Sequence, residues 1–220
     1  MAHDFGNLLT IIRGFSELLQ AQYCDQPELQ EGFGEILTAV TRATAMTDML
    51  AVIGRRQRLD RQPTDLRHAL AQLAPAIQTT LGTAIRLELV TGPDAMPIRL
   101  DVAGLKTALG YLSDLAALAM PSGGTWRVMC TARNADAAFC AAHPWSRASR
   151  YAVLALECSE SSFSRDDVAH AIEPFYPLAG QRQGLGLGLA FVAGWAALHE
   201  GAFLVEAATP ATCRLLLSLE

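Results

Sequence analysis

Surplus basic charge is what this 220-residue chain conspicuously lacks: 17 Lys and Arg stand against 22 Asp and Glu, a formal net charge of -5. That balance leaves no spare cations to neutralise phosphates along a duplex, so nucleic acid is not an expected partner. The chain also lacks any run of about 18 apolar residues that could span a bilayer. Its N-terminus lacks the basic, apolar and small-residue succession of a secretory signal, so no membrane partner and a cytoplasmic location are expected. Cys24, Cys130, Cys140, Cys158 and Cys213 are odd in number and scattered, with no C-x-x-C pair for metal or redox chemistry. Buried, reduced thiols are expected instead. What the sequence has in abundance is apolar surface, 51% of its residues, enough to fill cores without disulfide or metal staples.

The apolar residues are patterned. Phe5, Leu8, Ile12, Phe15 and Leu19 recur at spacings of three and four, the seam of a packed or coiled helix. Phe33, Ile36, Val40, Ala43, Thr47 and Leu50 repeat that spacing, and the turn-rich YCDQPELQEG separates the two runs. A helical hairpin follows, too thin to bury its own stripe, so two hairpins are expected to pair as a dimeric four-helix bundle. After Pro63, helices alternate with β-rich runs. DLRHALAQLAPAIQTTL, DVAGLKTALGYLSDLAALAM, SRDDVAHAIEPF and LGLAFVAGWAALHE read as helices, and AIRLELV, TWRVMCTA, YAVLALE, AFLVEAA and CRLLLSLE as strands. The expected fold class is therefore α+β: a hairpin domain over 1–62, then an α/β sandwich over 63–220 in which helices cover one face of a mixed sheet.

At about 100° per residue, His3, Asn7, Thr10 and Gly14 share the side of the first helix away from its seam. Asp4 lies beside His3, where a carboxylate can orient an imidazole, take its proton and leave the other ring nitrogen nucleophilic. The same pair also reads as a solvated helix start, since Asp4 suits the positive end of a helix dipole. His68, His143, His170 and His199 show no ligand spacing with one another or with a cysteine and read as surface or packing residues. Trp126, Trp145 and Trp195 read as core or edge fillers, and GRRQRLDR as a solvated helix end.

AHDFGNLLTIIRGFSELL closely resembles the H-box of bacterial histidine kinases of the HDFNNLL type, and EILTAVTRATAMTDMLAVIGRRQRL resembles their second dimerisation helix. LDVAGLKTALGYLSDLAALAMPSGGT, YAVLALE, IEPFY and GLGLGLAFVAGWAALHEG resemble, in the family's order, its N-box region, G1-leading strand, F-box and G2 box. The resemblance implies that His3 is the phosphoacceptor, Asp4 its general base and Asn7 a polar positioning residue. Gly6 replaces the usual Asn, at a cost in helix propensity rather than chemistry.

The nucleotide positions depart from the family's pattern. Leu115 stands where the family places a Mg²⁺-binding Asn, and Leu118 where it often has Asp. A leucine offers no oxygen to a hard cation. Cys158 replaces the carboxylate that reads adenine, Glu160 and Ser162 replace loop glycines, and Tyr176, Pro177, Leu178 and Ala179 replace a lid containing a basic residue. Only Gly184, Gly186 and Gly188 of the G2 run remain, either as a phosphate cradle at a helix start or as close packing of that helix on the sheet. Packing is the reading adopted. Asp114 and Glu157 are each one residue out of register to substitute for the lost groups.

The resemblance in role is therefore to ChpT-type histidine phosphotransferases, which keep a kinase-like dimer and a degenerate ATPase-like domain. It implies reversible phosphoryl transfer between His3 and receiver-domain aspartates. Receiver domains of a response regulator and of an upstream histidine kinase are then the partners. No cofactor or metal is expected on this chain, because Mg²⁺ would come with the receiver. The alternatives are a kinase with full or weak activity and a non-catalytic scaffold that binds response regulators.

Overall fold

The computed structural model describes residues 2–53, 59–146, 149–160, 167, 170–173, 176, 187–206 and 212–219; the side chains of 2–4, 41, 42, 45, 48, 49, 53 and 206 are outside that description. The chain divides into two compact units, 1–57 and 58–220.

The first unit is a hairpin of α1 (Ala2–Gln22) and α2 (Pro27–Ile53), which pack on each other. Gln30 closes the turn by donating from Nε2 to the carbonyls of Gln20, in the last turn of α1, and Tyr23, which also accepts the Gln26 backbone N–H. The apolar stripe of α1 does not lie against α2. The less exposed positions of α1 include Leu9, Ser16 and Gln20, with Tyr23 just beyond its end, and those of α2 include Phe33, Leu37, Val40, Thr44 and Thr47. Phe5 (63% exposed), Leu8 (57%), Ile12 (46%) and Phe15 (64%) face outward, as do Ile36 and Leu50. The hairpin thus spends a mixed, small-residue face on its internal seam and leaves the apolar one open.

The second unit contains the mixed sheet expected from the alternating pattern. Its order is β2 (Ile85–Thr91), β4 (Gly124–Asn134), β5 (Arg150–Cys158), β7 (Thr212–Ser218) and β6 (Ala202–Glu206). β2 runs parallel to β4, and the remaining pairs are antiparallel. Helices α3 (Leu66–Leu81) and α4 (Val102–Ala119) bury one side each, α6 (Gly188–Leu198) is buried nearly all round, and Trp126, Val128, Cys130, Leu154, Leu156, Leu215 and Leu217 form the sheet's inner face beneath them. Asp65 caps α3 through the backbone N–H of Arg67, and Asp101 caps α4 through that of Gly104.

Two features have no counterpart in the sequence reading. β1 (Gln62–Asp65) and β3 (Pro97–Leu100) pair antiparallel as a separate two-stranded ribbon. A short helix α5 (Ala137–Ala142), in the β4–β5 connection, folds over the outer face of the sheet and sets Phe139 against Tyr151 and Leu216. The cysteine expectation also needs correction: among the described residues all five are free thiols, but Cys24, in the α1–α2 turn, and Cys140, on the solvent side of α5, are exposed. Most of SRDDVAHAIEPF lies outside the described residues.

Candidate functional site

His3 and Asp4 stand in the first turn of α1, and their side chains are among those not described. Asn7, one turn on, is exposed. Thr10 is exposed and donates from Oγ1 to the carbonyl of Gly6 at 2.9 Å, within the helix's own turn. The helix that carries the His3 position is therefore formed, and the polar face read from the sequence is exposed at Asn7 and Thr10.

The other candidate region lies where α4 meets α6. The two helices touch at two points. Near the start of α4, Gly104 lets the Trp195 indole lie directly on the backbone: a Cβ at 104 would fall 2.7 Å from Trp195 Cδ1 and closer still to Nε1. Near its middle, Tyr111 lies on Gly188, where a Cβ would meet three atoms of the tyrosine at 3.0 to 3.3 Å. Phe191 holds the same ring from one turn further along α6, edge to face at 5.5 Å. Gly188 is thus a packing glycine. Gly184 and Gly186, the other members of the run, lie outside the described residues, as do Ser162 and 177–179.

Along α4, Leu115 and Leu118 follow Tyr111 at spacings of four and three, and all three are half-buried. Burial pushes the Tyr111 hydroxyl above its ordinary pKa, and the nearby Asp114 charge adds to the effect. Asp114 itself, on the open side of the helix, is raised by partial burial. At the end of β5, Cys158 sits in register with Trp126 on the inner face, and burial pushes its thiol up to about 11. Glu157 points the other way. It lies 3.9 Å from Arg127, which also pairs with Glu88 at 3.0 Å on the outer face, so Glu157 is a full strand face away from the position of Cys158. At the two described positions that the resemblance assigns to a cation and to adenine, Leu115 is apolar and Cys158 is a neutral thiol, neither of them an oxygen ligand for Mg²⁺. Among the described residues no cluster of three or more His, Cys, Asp or Glu is placed to hold a metal, and no helix is long and apolar enough to cross a membrane.

A third group of contacts surrounds His199, which sequence reading left as a packing residue. It is 2% exposed, donates from Nδ1 to the Trp195 carbonyl and accepts the Asp101 backbone N–H on Nε2, which fixes it as the neutral Nδ1–H tautomer. Arg61 donates to the Leu198 carbonyl beside it and lies 3.7 Å from Glu200, so a cation sits at the negative end of α6. The signal available in the sequence was HEG at the end of an apolar helix, which carries no spacing rule of its own.

No protein-family model matches the chain. Sensor kinase CckA of Brucella abortus is 29% identical over 196 residues, covering 88% of this chain and 20% of that protein. Histidine protein kinase DivJ of Caulobacter vibrioides is 26% identical over 221 residues, covering 94% of this chain and 34% of that protein. The chain thus spans a fifth to a third of the curated relatives it matches. Among solved structures, full-length ShkA in complex with AMPPNP has a TM-score of 0.70 at 17% identity, over 98% of this chain and 43% of that one. Acinetobacter baumannii histidine kinase AdeS has a TM-score of 0.61 at 16% identity, over 100% of this chain and 99% of that one. In fold, the chain is similar to these solved histidine kinases, and in sequence it is similar to part of two proteins named as kinases.

Proposed function

We propose that the chain is a histidine phosphotransferase that relays phosphoryl groups between His3 and receiver-domain aspartates as a homodimer, without binding ATP. The observation that carries this reading is a contrast between its two ends. His3, Asp4 and Asn7 keep the residue types needed for transfer, whereas Leu115 and Cys158 stand where a nucleotide and its cation need oxygen ligands.

In the forward step a ring nitrogen of His3 attacks the phosphorus of a receiver's aspartyl phosphate. A P–N bond forms as the P–O bond breaks, and the aspartate leaves as a carboxylate on the receiver. Asp4 orients the ring and takes the proton from its other nitrogen, and Asn7 holds the incoming group in line. Mg²⁺ belongs to the receiver's own site, where it offsets charge on the transferring group.

The open face of the hairpin supports both parts of the assembly. Four-helix packing would cover Phe5, Leu8, Ile12, Phe15, Ile36 and Leu50, which the lone hairpin leaves exposed. Ile11 and Leu18 are exposed as well but lie roughly 90° further round α1 at 3.6 residues per turn. In such a bundle this edge, next to the His3/Asn7/Thr10 face, would stay open to the receiver.

The names of the curated relatives favour a second reading, an ATP-dependent kinase. Incubating the full chain with γ-labelled Mg·ATP in one arm and a labelled phosphoreceiver in the other separates the two. Label arriving only from the receiver is the expected result. Label from ATP alone would establish the kinase.

A further inference from the structure

We propose that the open edge of β2 is a strand-pairing surface complementary to a second copy of itself, and that the Gln78 side chain of α3 holds it shut. Among the described residues β2 is an outermost strand of the five-stranded sheet, with β4 on one side and no strand on the other. Such an edge offers a row of backbone donors and acceptors to another strand. Gln78 takes the first of them. Its Oε1 accepts the Leu87 N–H at 3.0 Å, and its Nε2 donates to the Ile85 and Gly82 carbonyls, each at 2.8 Å. One side-chain amide thereby makes the two bonds, to residues 85 and 87, that a peptide unit of a neighbouring strand would make.

Backbone groups of a strand alternate between its two edges as its side chains alternate between the two faces. Ile85 and Leu87 turn theirs toward the open edge, so Leu89 does as well. Between them Arg86, Glu88 and Val90 stand on the outer face, where Glu88 pairs with Arg127 of β4, Arg86 is exposed and Val90 is 50% exposed. A second β2 laid antiparallel along this edge and centred on Leu87 brings Arg86 of each copy opposite Glu88 of the other. These are non-hydrogen-bonded positions, where cross-strand side chains come closest. Ile85 then meets Leu89 on the inner face, and Ala84 meets Val90 on the outer. Sliding the register by two residues either way sets Arg86 against Arg86 or Glu88 against Glu88. Charge thus selects one occupant and one register. Beside the hairpin contact proposed above, a second two-fold contact at β2 would link dimers into open-ended chains, and the Gln78 amide prevents that by filling the edge.

The test uses the full chain, read by amide hydrogen exchange and light scattering. In the unmodified protein the Leu89 N–H is expected to exchange much faster than those of Glu88 and Val90, which face β4. Equal protection of the three would mean that the edge is already covered and would overturn the proposal without any variant having to fold. Gln78→Ala, its fold checked by melting, should at least double in mean mass between about 10 and 100 µM while the unmodified chain does not. Its Leu89 N–H should gain at least tenfold protection as it assembles. Adding Arg86→Glu, which sets acid against acid in the selected register, should return the mass to that of the unmodified chain. A folded Gln78→Ala variant that keeps the unmodified mass would overturn the proposal. So would growth that Arg86→Glu leaves untouched, or growth without protection of Leu89, which would place the contact on another surface.

Discussion

His199 and Asp101 are joined by a hydrogen bond of 3.2 Å from the Asp101 backbone N–H to the imidazole Nε2, which ties the end of α6 to the cap of α4. The bond exists only while His199 is neutral. Burial lowers its pKa below the ordinary value of 6.5; the Trp195 carbonyl and Asp101 oppose that shift, and Arg61 adds to it. Glu200 is the other charge nearby, paired to Arg61. The unfolded chain therefore takes up a proton near pH 6.5 that the folded chain refuses. Stability is full above that pH and is lost as pH falls from about 6.5 toward the depressed folded value. Tm measured from pH 7.5 to 5 should fall on the acid side, and His199→Gln should flatten that slope.

Two glycines should respond in opposite directions to alanine. At Gly201 a Cβ would collide with the Leu216 carbonyl oxygen, a backbone atom that cannot move without disturbing β7. Gly201→Ala is expected to cost about 1–3 kcal/mol, the usual range for overpacking, or to prevent folding. Gly110 lies inside α4 with nothing within 4 Å of its Cβ position. Gly110→Ala should stabilise by about 0.5–1 kcal/mol through helix propensity. Urea denaturation of both variants checks the pair.

Thiol chemistry should separate the cysteines. Cys24 and Cys140 are exposed, whereas burial pushes Cys130 and Cys158 up to about 11, Cys130 with help from the Asp65 charge. Iodoacetamide at pH 7.5, followed by mass spectrometry, should modify the first two well before the others. Rapid labelling of Cys158 in the folded chain would contradict its place on the inner face.

Ile12→Asp, on the open stripe of α1, should shift a dimer toward monomer while leaving the second unit folded. Light scattering at tens of micromolar is the measurement, since an interface of even ~7 kcal/mol is largely occupied there. A monomer in the unmodified chain at that concentration would contradict the dimer.

The long elements were legible because their signals are periodic: β5 reads as an apolar run buried on both sides, and α4 carries apolar residues over five turns. β1 and β3 were not, because QPTD and PIRL are four residues each, contain proline and pair only through the tertiary fold. The α1 stripe was legible as apolar, and the hairpin alone leaves it exposed; spacing identifies such a face without saying what covers it. The substitutions at Leu115 and Cys158 were visible by alignment with a family pattern, one residue at a time. Tyr111 was not, since its meaning lies in contact with Gly188 on another helix, and no local spacing links the two.

On the proposed function, His3 carries the phosphoryl group. The full-length chain, incubated with a receiver domain labelled on its aspartyl phosphate, is predicted to acquire phosphate that is labile in acid and stable in base, the behaviour of a phosphoramidate. His3→Ala should abolish that label with little change in Tm, and Asp4→Asn should slow its appearance while receiver binding persists. Label that survives in His3→Ala would place the phosphate on another residue, and receiver binding with no transfer to the unmodified chain would make the protein a scaffold rather than a phosphotransferase.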